Sequence, residues 1–229
     1  VYEAGFENLR RHLRLGGDLL PPGASRALPM PTALPVATRR VVVRGYGDAG
    51  QLVAEDAEVA APAENEVRIH QRAIGINFID VYLRRGWTPP MLGPGGTPGM
   101  EAAGNVLDVG AGVTGWMPGD RVAYLGPAPG AYCGVRNVPA DWLVRLPAAV
   151  DDDTAAALLL KGVTADYLLR DLGRVQRGTR LLVHAAAGGV GLLMCAWARR
   201  LGAMVIGTVS SDEKARLARD HGCEQVIVT

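Results

Sequence analysis

Residues 181–191 read Leu181-Leu182-Val183-His184-Ala185-Ala186-Ala187-Gly188-Gly189-Val190-Gly191. An apolar strand here runs into a glycine-rich turn, and an apolar helical stretch follows over 192–201. A strand that turns sharply into a helix leaves the first backbone N–H groups of that helix without intrahelical partners, and these form a partly positive seat for a pyrophosphate. Glycine suits the turn because a Cβ would hold the backbone away from the phosphates. The pattern Ala186-x-Gly188-x-x-Gly191 lacks one glycine of the full fingerprint, and taken alone it also fits a tight packing turn. Context favours the phosphate seat: a second strand is expected over Met204–Val209, at βαβ spacing. The stretch therefore predicts part of a doubly wound parallel sheet that binds a dinucleotide.

The end of the second strand selects the nucleotide. NAD-binding units place Asp or Glu about 20 residues beyond the first glycine, where the carboxylate accepts from the ribose 2′-OH. Val209 stands there, followed by Ser210, Ser211, Asp212, Glu213 and Lys214. Two hydroxyls and a cation suit a 2′-phosphate, so NADPH is expected rather than NADH. Asp212 and Glu213 oppose this unless they face solvent in the first turn of the next helix. Lys214 also stands out by rarity, because 22 of the 24 basic residues are arginine and only Lys161 and Lys214 are lysine.

The net charge of +1 gives no electrostatic footprint for nucleic acid or a membrane surface. At 229 residues and 48% hydrophobic, the chain has material for one large or two small cores. Cys133, Cys195 and Cys223 are odd in number and widely spaced, indicating neither a disulfide framework nor a zinc site. No apolar run approaches membrane-spanning length, and a reducing cytoplasm is expected.

Three regions follow from the pattern. Residues 1–35 carry a basic patch at 6–15 and a proline-rich stretch, and are expected to be a leader, disordered or lying upstream of the true start. Residues 36–150 alternate short β runs (40–44, 66–74, 104–109, 121–124, 142–145) with Gly and Pro turns, around one short helix at 77–84. From 151 to 229, helices are expected at 153–160, 162–172 and 212–221, the last capped by Asp212, with a third parallel strand at 225–228. Six strands complete a doubly wound sheet, so this part is expected to be an incomplete Rossmann domain. Asp151, Asp152 and Asp153 are expected at a helix start, and Cys133 and Cys195 as small core residues.

Five ordered motifs carry a resemblance. Residues 75–82 (Gly-Ile-Asn-Phe-Ile-Asp-Val-Tyr), 98–104 (Pro-Gly-Met-Glu-Ala-Ala-Gly), 118–122 (Pro-Gly-Asp-Arg-Val), 161–165 (Lys-Gly-Val-Thr-Ala) and 184–191 together resemble the quinone oxidoreductase (zeta-crystallin-like) branch of the medium-chain dehydrogenases. The resemblance covers about residues 36–229. It implies an α/β chain in which a mostly-β GroES-like domain precedes a Rossmann domain, with the active site in a cleft and homodimers of the full-length protein. It also implies NADPH-dependent reduction of quinones or other electron-poor enones. Zinc-dependent relatives carry Cys and His at the places similar to Asn77 and Met100; neither residue here is a usual zinc ligand, so zinc-free chemistry is expected.

The resemblance also assigns residues. Asn77, Phe78, Ile79, Asp80, Val81 and Tyr82 line the nicotinamide side, with Asn77 donating an amide N–H to a carbonyl and Tyr82 stacking or relaying a proton. Thr164 and Tyr167 contact the cofactor, as do Gly188, Gly189, Val190, Ser210, Ser211 and Lys214. Two other functions fit the same motifs: an enoyl-thioester reductase of the same superfamily, and a non-catalytic NADPH-binding module of structural or RNA-associated kind.

Overall fold

The computed structural model describes residues 34–88, 91–126 and 128–229, and the expectations for residues 1–33 lie outside them. The described chain divides after residue 159 into two units. In the first, strands β1 (Val36–Val43) and β2 (Leu52–Val59) form an antiparallel pair. Strand β2 is not among the expected strands, because Glu55, Asp56 and Glu58 are poor strand formers. Its pairing supplies what its propensity lacks. Arg39 faces Asp56 and Arg40 faces Glu55 in the register, with ion-pair distances of 3.5 and 2.7 Å, and opposite charges across strands contribute roughly 0.2–1 kcal/mol each.

Next come β3 (Glu66–Gly75), helix α1 (Phe78–Arg85), β4 (Glu101–Val109), β5 (Arg121–Leu125), β6 (Val135–Pro139) and β7 (Leu143–Arg145). The five strands form an antiparallel sheet in the order β6-β3-β4-β5-β7. Strand β6 is likewise unexpected, since Arg136 and Asn137 interrupt its apolar run. Both find local uses: the Arg136 guanidinium lies 5.4 Å from the Tyr124 ring centre, and Asn137 donates to the Ala60 carbonyl at 3.2 Å. Val67, Ile69, Ala102, Val106, Val122, Tyr124, Val138 and Leu143 make the core.

One buried ion pair ties this sheet to the first hairpin. Arg68, wholly buried, donates through Nε to Asp108 at 2.8 Å and through Nη1 to the carbonyls of Leu34 and Val59 at 2.9 and 3.2 Å. A second guanidinium hydrogen bond reaches the same carboxylate oxygen.

The second unit contains part of α2 (Asp152–Asp166), then a π-helical segment (Tyr167–Leu172), β8 (Arg180–Val183), α3 (Gly189–Arg200), β9 (Met204–Val209), α4 (Asp212–Asp220) and β10 (Gln225–Val228). Its strands are parallel, in the order β10-β9-β8. The two helices expected at 153–160 and 162–172 are one continuous helix. Gly162 does not break it, since a helical glycine costs only about 1 kcal/mol against alanine while Ala155, Ala156, Val163 and Ala165 are all buried. Past Asp166 the helix widens, and the Gly173 N–H reaches back to the Leu168 carbonyl at 2.9 Å.

Asp151 accepts from the Thr154 N–H at 2.6 Å and its hydroxyl at 3.0 Å, and these bonds hold its carboxyl below the usual range. The expected cap of α4 is corrected. Ser211, in extended conformation, accepts from the Lys214 N–H at 3.3 Å, which places Asp212 inside the first turn. Among the described residues, no helix is long and apolar enough to cross a membrane.

Candidate functional site

In the second unit the chain leaves β8 at Val183 and turns through residues 184–188 into α3. Ala185 takes a positive φ of 52°, unusual for a residue with a Cβ, and its carbonyl accepts from the Gly188 N–H at 2.8 Å. The helix starts one turn earlier than the apolar stretch suggests. Gly188 caps it without a side chain, so no side-chain oxygen competes for the first N–H groups of α3. A Cβ at Gly191 would lie 2.4 Å from the Ala185 carbonyl oxygen and 2.8 Å from Ala186 backbone atoms. Gly191 thus lets the helix sit down on the turn, and no other residue fits there without moving main chain.

Gly189 is different: its missing Cβ leaves room for the Lys161 side chain, whose Cδ would be 2.9 Å away. Lys161 stands out in the sequence for its rarity and as the first residue of the 161–165 motif, but no local signal connects it to a turn 28 positions later in the chain. Thr164, by contrast, spends its hydroxyl on the Leu160 carbonyl at 2.7 Å. Tyr167 is half-buried in the π-helical segment.

At the end of β9, Val209 is buried, so an aliphatic side chain stands where an NAD unit has its acid. Lys214 Nζ donates to the Ser210 hydroxyl at 2.8 Å, while Ser211 Oγ is engaged at the helix cap. Asp212 and Glu213 are exposed in the first turn of α4. A serine hydroxyl, a lysine and a helix N-terminus lie together in one small corner whose groups suit an anion. The formal charge agrees. Residues 160–229 carry ten Lys and Arg against six Asp and Glu, whereas residues 34–159 carry ten against fourteen. A near-neutral total therefore conceals a basic surplus in the nucleotide-type unit.

In the first unit, α1 presents the segment singled out by the sequence. Phe78 is 69% exposed and Tyr82 38%. Their rings meet edge to face at 5.2 Å between centres, and Trp87 continues the row 5.8 Å from Tyr82. These rings form an open aromatic ledge on which a flat conjugated ring can lie. Ile79 and Val81 are half-buried.

Asn77 and Asp80 point the other way. Asn77 is buried and its Nδ2 donates to Glu101 at 2.7 Å. Asp80 is buried, accepting from the Asn77 N–H at 2.8 Å and from the Tyr132 hydroxyl at 2.9 Å. Burial, followed by the Asp80 charge and hydrogen bond, pushes the Tyr132 hydroxyl well above its ordinary value. Asp80 thus fixes the start of the helix. Glu101, wholly buried, belongs to a quoted motif but carries no role that the sequence reveals. A Cβ on Gly75 would lie 2.4 Å from its Oε1, so that glycine admits the carboxylate.

A groove of about 560 Å³ lies elsewhere in this unit, between Arg39, Ala54, Ile74, Ile76 and Cys133, and none of the sequence-predicted site residues lines it. His184, exposed, shares a hydrogen bond with the Thr208 hydroxyl at 3.1 Å. Cys133, Cys195 and Cys223 are all free and buried.

Residues 63–148 match the alcohol dehydrogenase GroES-like domain family. The chain is 48% identical over 189 residues to a quinone oxidoreductase of Pseudomonas aeruginosa, covering 82% of this chain and 58% of that protein. It is 44% identical over 190 residues to a 2-haloacrylate reductase of a Burkholderia species, covering 81% and 57%. The crystal structure of Escherichia coli quinone oxidoreductase complexed with NADPH superposes with a TM-score of 0.80 at 46% identity, covering 82% of this chain and 58% of that one. The chain thus spans little more than half the length of these relatives. Its mixture of a GroES-like β region with a parallel α/β sheet, and its similarity through both, place it by descent: the chain belongs to the quinone oxidoreductase branch of the medium-chain dehydrogenase/reductase superfamily.

Proposed function

We propose that the protein is an NADPH-dependent, zinc-independent reductase of quinones or other electron-poor enones. The observation that carries this reading is the pairing of a helix start with no side-chain cap, at Gly188, with the Lys214–Ser210 corner where an NAD unit has a carboxylate. The Escherichia coli relative was crystallised with NADPH, and the Burkholderia relative is named for a conjugated acid, which supports the cofactor and the acceptor class.

In this reading, residues 36–150 form the substrate domain and residues 151–229 the first part of the cofactor domain. The N–H groups of Gly188, Gly189 and Val190 bind pyrophosphate, and Ser210, Ser211 and Lys214 bind the 2′-phosphate. Thr164 and Tyr167 lie along the cofactor. Bound NADPH supplies the hydride. Phe78 and Tyr82 offer ring faces that orient a planar acceptor, while Ile79 and Val81 exclude water beside them. Asn77, held by Glu101 and by the start of α1, positions the helix that carries these rings beside the reacting groups, and the Tyr82 hydroxyl or water delivers the proton at the acceptor oxygen. A homodimer in the cytoplasm completes the proposal.

Replacing Lys214 by Ala removes one charge-assisted contact, about 1.5–3 kcal/mol, and so weakens NADPH binding roughly ten- to a hundredfold. NADH binding stays unchanged. Fluorescence titration with both nucleotides checks this; an equal loss for NADH would remove the 2′-phosphate assignment. Turnover is tested by NADPH oxidation with 1,4-benzoquinone, with a 2-enoyl-CoA, and without acceptor. Quinone-dependent oxidation is expected. Faster reaction with the thioester would point to the enoyl reductase, and binding without turnover of either acceptor to a non-catalytic module.

A further inference from the structure

Helix α1 runs out through Arg84-Arg85-Gly86-Trp87, and its two arginines are used differently. Arg84 is half-buried and donates through Nη1 to the Gly47 carbonyl at 2.9 Å, tying the helix end to the loop between β1 and β2. Arg85 is exposed, and among the described residues its guanidinium makes no hydrogen bond or ion pair. It lies instead 4.7 Å from the centre of the Trp87 ring.

The turn that brings Trp87 back to this cation is held in place. Gly86 has a φ of 68°, a left-handed cap that suits glycine, and the Trp87 N–H returns to the Tyr82 carbonyl at 3.0 Å. A Cβ on Gly86 would meet the Tyr46 ring at 2.8 Å, and the Tyr46 hydroxyl donates to the Leu92 carbonyl at 2.9 Å. Phe78, Tyr82 and Arg85 stand at i, i+4 and i+7, which puts them on one face of the helix. The row Phe78, Tyr82, Trp87 thus ends in a guanidinium lying over its last ring.

We propose that Arg85 selects ligands in which a flat conjugated ring carries a negative group, a carboxylate or a sulfonate; the inference rests on the reductase reading only in calling that ligand the acceptor. A guanidinium over a ring keeps the N–H groups along its edge for an oxyanion, which it can hold through two hydrogen bonds while the ring of the ligand lies on the aromatic ledge. A helix C-terminus disfavours an anion. Here its pull is blunted, because the Leu83 and Tyr82 carbonyls already accept from the Gly86 and Trp87 N–H groups at 3.2 and 3.0 Å.

The test is equilibrium dialysis of the whole chain against two quinones of one shape, anthraquinone-2-sulfonate and the neutral 2-(hydroxymethyl)anthraquinone. The sulfonate should bind about tenfold more tightly, as a charge-assisted hydrogen bond at an exposed site provides. Arg85→Gln should abolish that difference and leave the neutral quinone unchanged, which also shows that the variant is folded. Equal binding of both quinones by the unaltered protein, a sulfonate preference that survives in the variant, or equal loss of both quinones overturns the proposal. NADPH oxidation with the same two quinones tests the reductase reading separately: a binding preference without turnover leaves the selection by Arg85 standing and overturns that reading alone.

Discussion

Replacing Arg68 by Met is expected to destabilise the protein by about 3–5 kcal/mol, the usual consequence of leaving one partner of a buried ion pair without the other. The guanidinium is wholly buried and meets the Asp108 carboxylate together with two main-chain carbonyls, Leu34 and Val59. Methionine fills most of the volume but donates nothing, so a buried charge and two acceptors lose their donor at once. The double variant Arg68→Met with Asp108→Leu removes the charge on both sides and is expected to recover most of the loss. Urea unfolding of the three proteins measures this. Single and double variants of equal stability would mean that the pair contributes packing rather than charge compensation.

The second large effect concerns the glycine turn. Replacing Gly191 by Val places carbon where the Ala185 carbonyl and the Ala186 backbone already lie, and main chain cannot yield as a flexible side chain can. The helix must lift, taking the Gly189 and Val190 N–H groups out of line. Two charge-assisted hydrogen bonds misplaced amount to about 3 kcal/mol or more, over a hundredfold in nucleotide affinity. Gly162 is the matched control. It is helical, and an added Cβ would meet nothing within 4 Å, so Gly162→Ala should gain up to about 1 kcal/mol of stability and leave affinity alone. Near-normal NADPH binding by the Gly191 variant would show that the turn does not seat phosphate.

These two positions differ in how far the sequence announces them. Gly191 belongs to a local pattern in which strand, turn and helix adjoin in sequence, and β9 and β10 end where their apolar runs end. Arg68 gives no local signal. Its partners lie 40, 34 and 9 positions away, and an arginine within an apolar strand reads as an outward-facing residue until the fold closes over it. The same limit explains β2, whose carboxylates only make sense opposite Arg39 and Arg40. It also explains the merged helix α2, where burial of alanines and a valine overrides the glycine at 162.

The candidate site shows the same division. Phe78 and Tyr82 are exposed, as suits residues that meet a ligand, but the spacing that puts them on one face also turns Asp80 inward. Sequence proximity groups all six residues 77–82, and helical geometry separates them into an aromatic ledge and a buried anchor. Glu101 and Lys161 escape a sequence reading because their roles are visible only through the neighbours they touch, Asn77 in one case and the space above Gly189 in the other.

The π-helical segment at Tyr167–Leu172 has a consequence for how the protein tolerates changes in length. A wider turn holds an additional residue, and each residue in an α-helix advances the side chains by about 100°. The widening thus works as a phase shifter. It brings Leu169 fully into the core and carries Arg170 to within 5.1 Å of the Trp197 ring centre while pairing it with Asp166. A one-residue deletion there would restore regular α geometry with the flanking turns still in phase, so this stretch of helix can absorb a change in length that the glycine turn, closed against main chain, cannot.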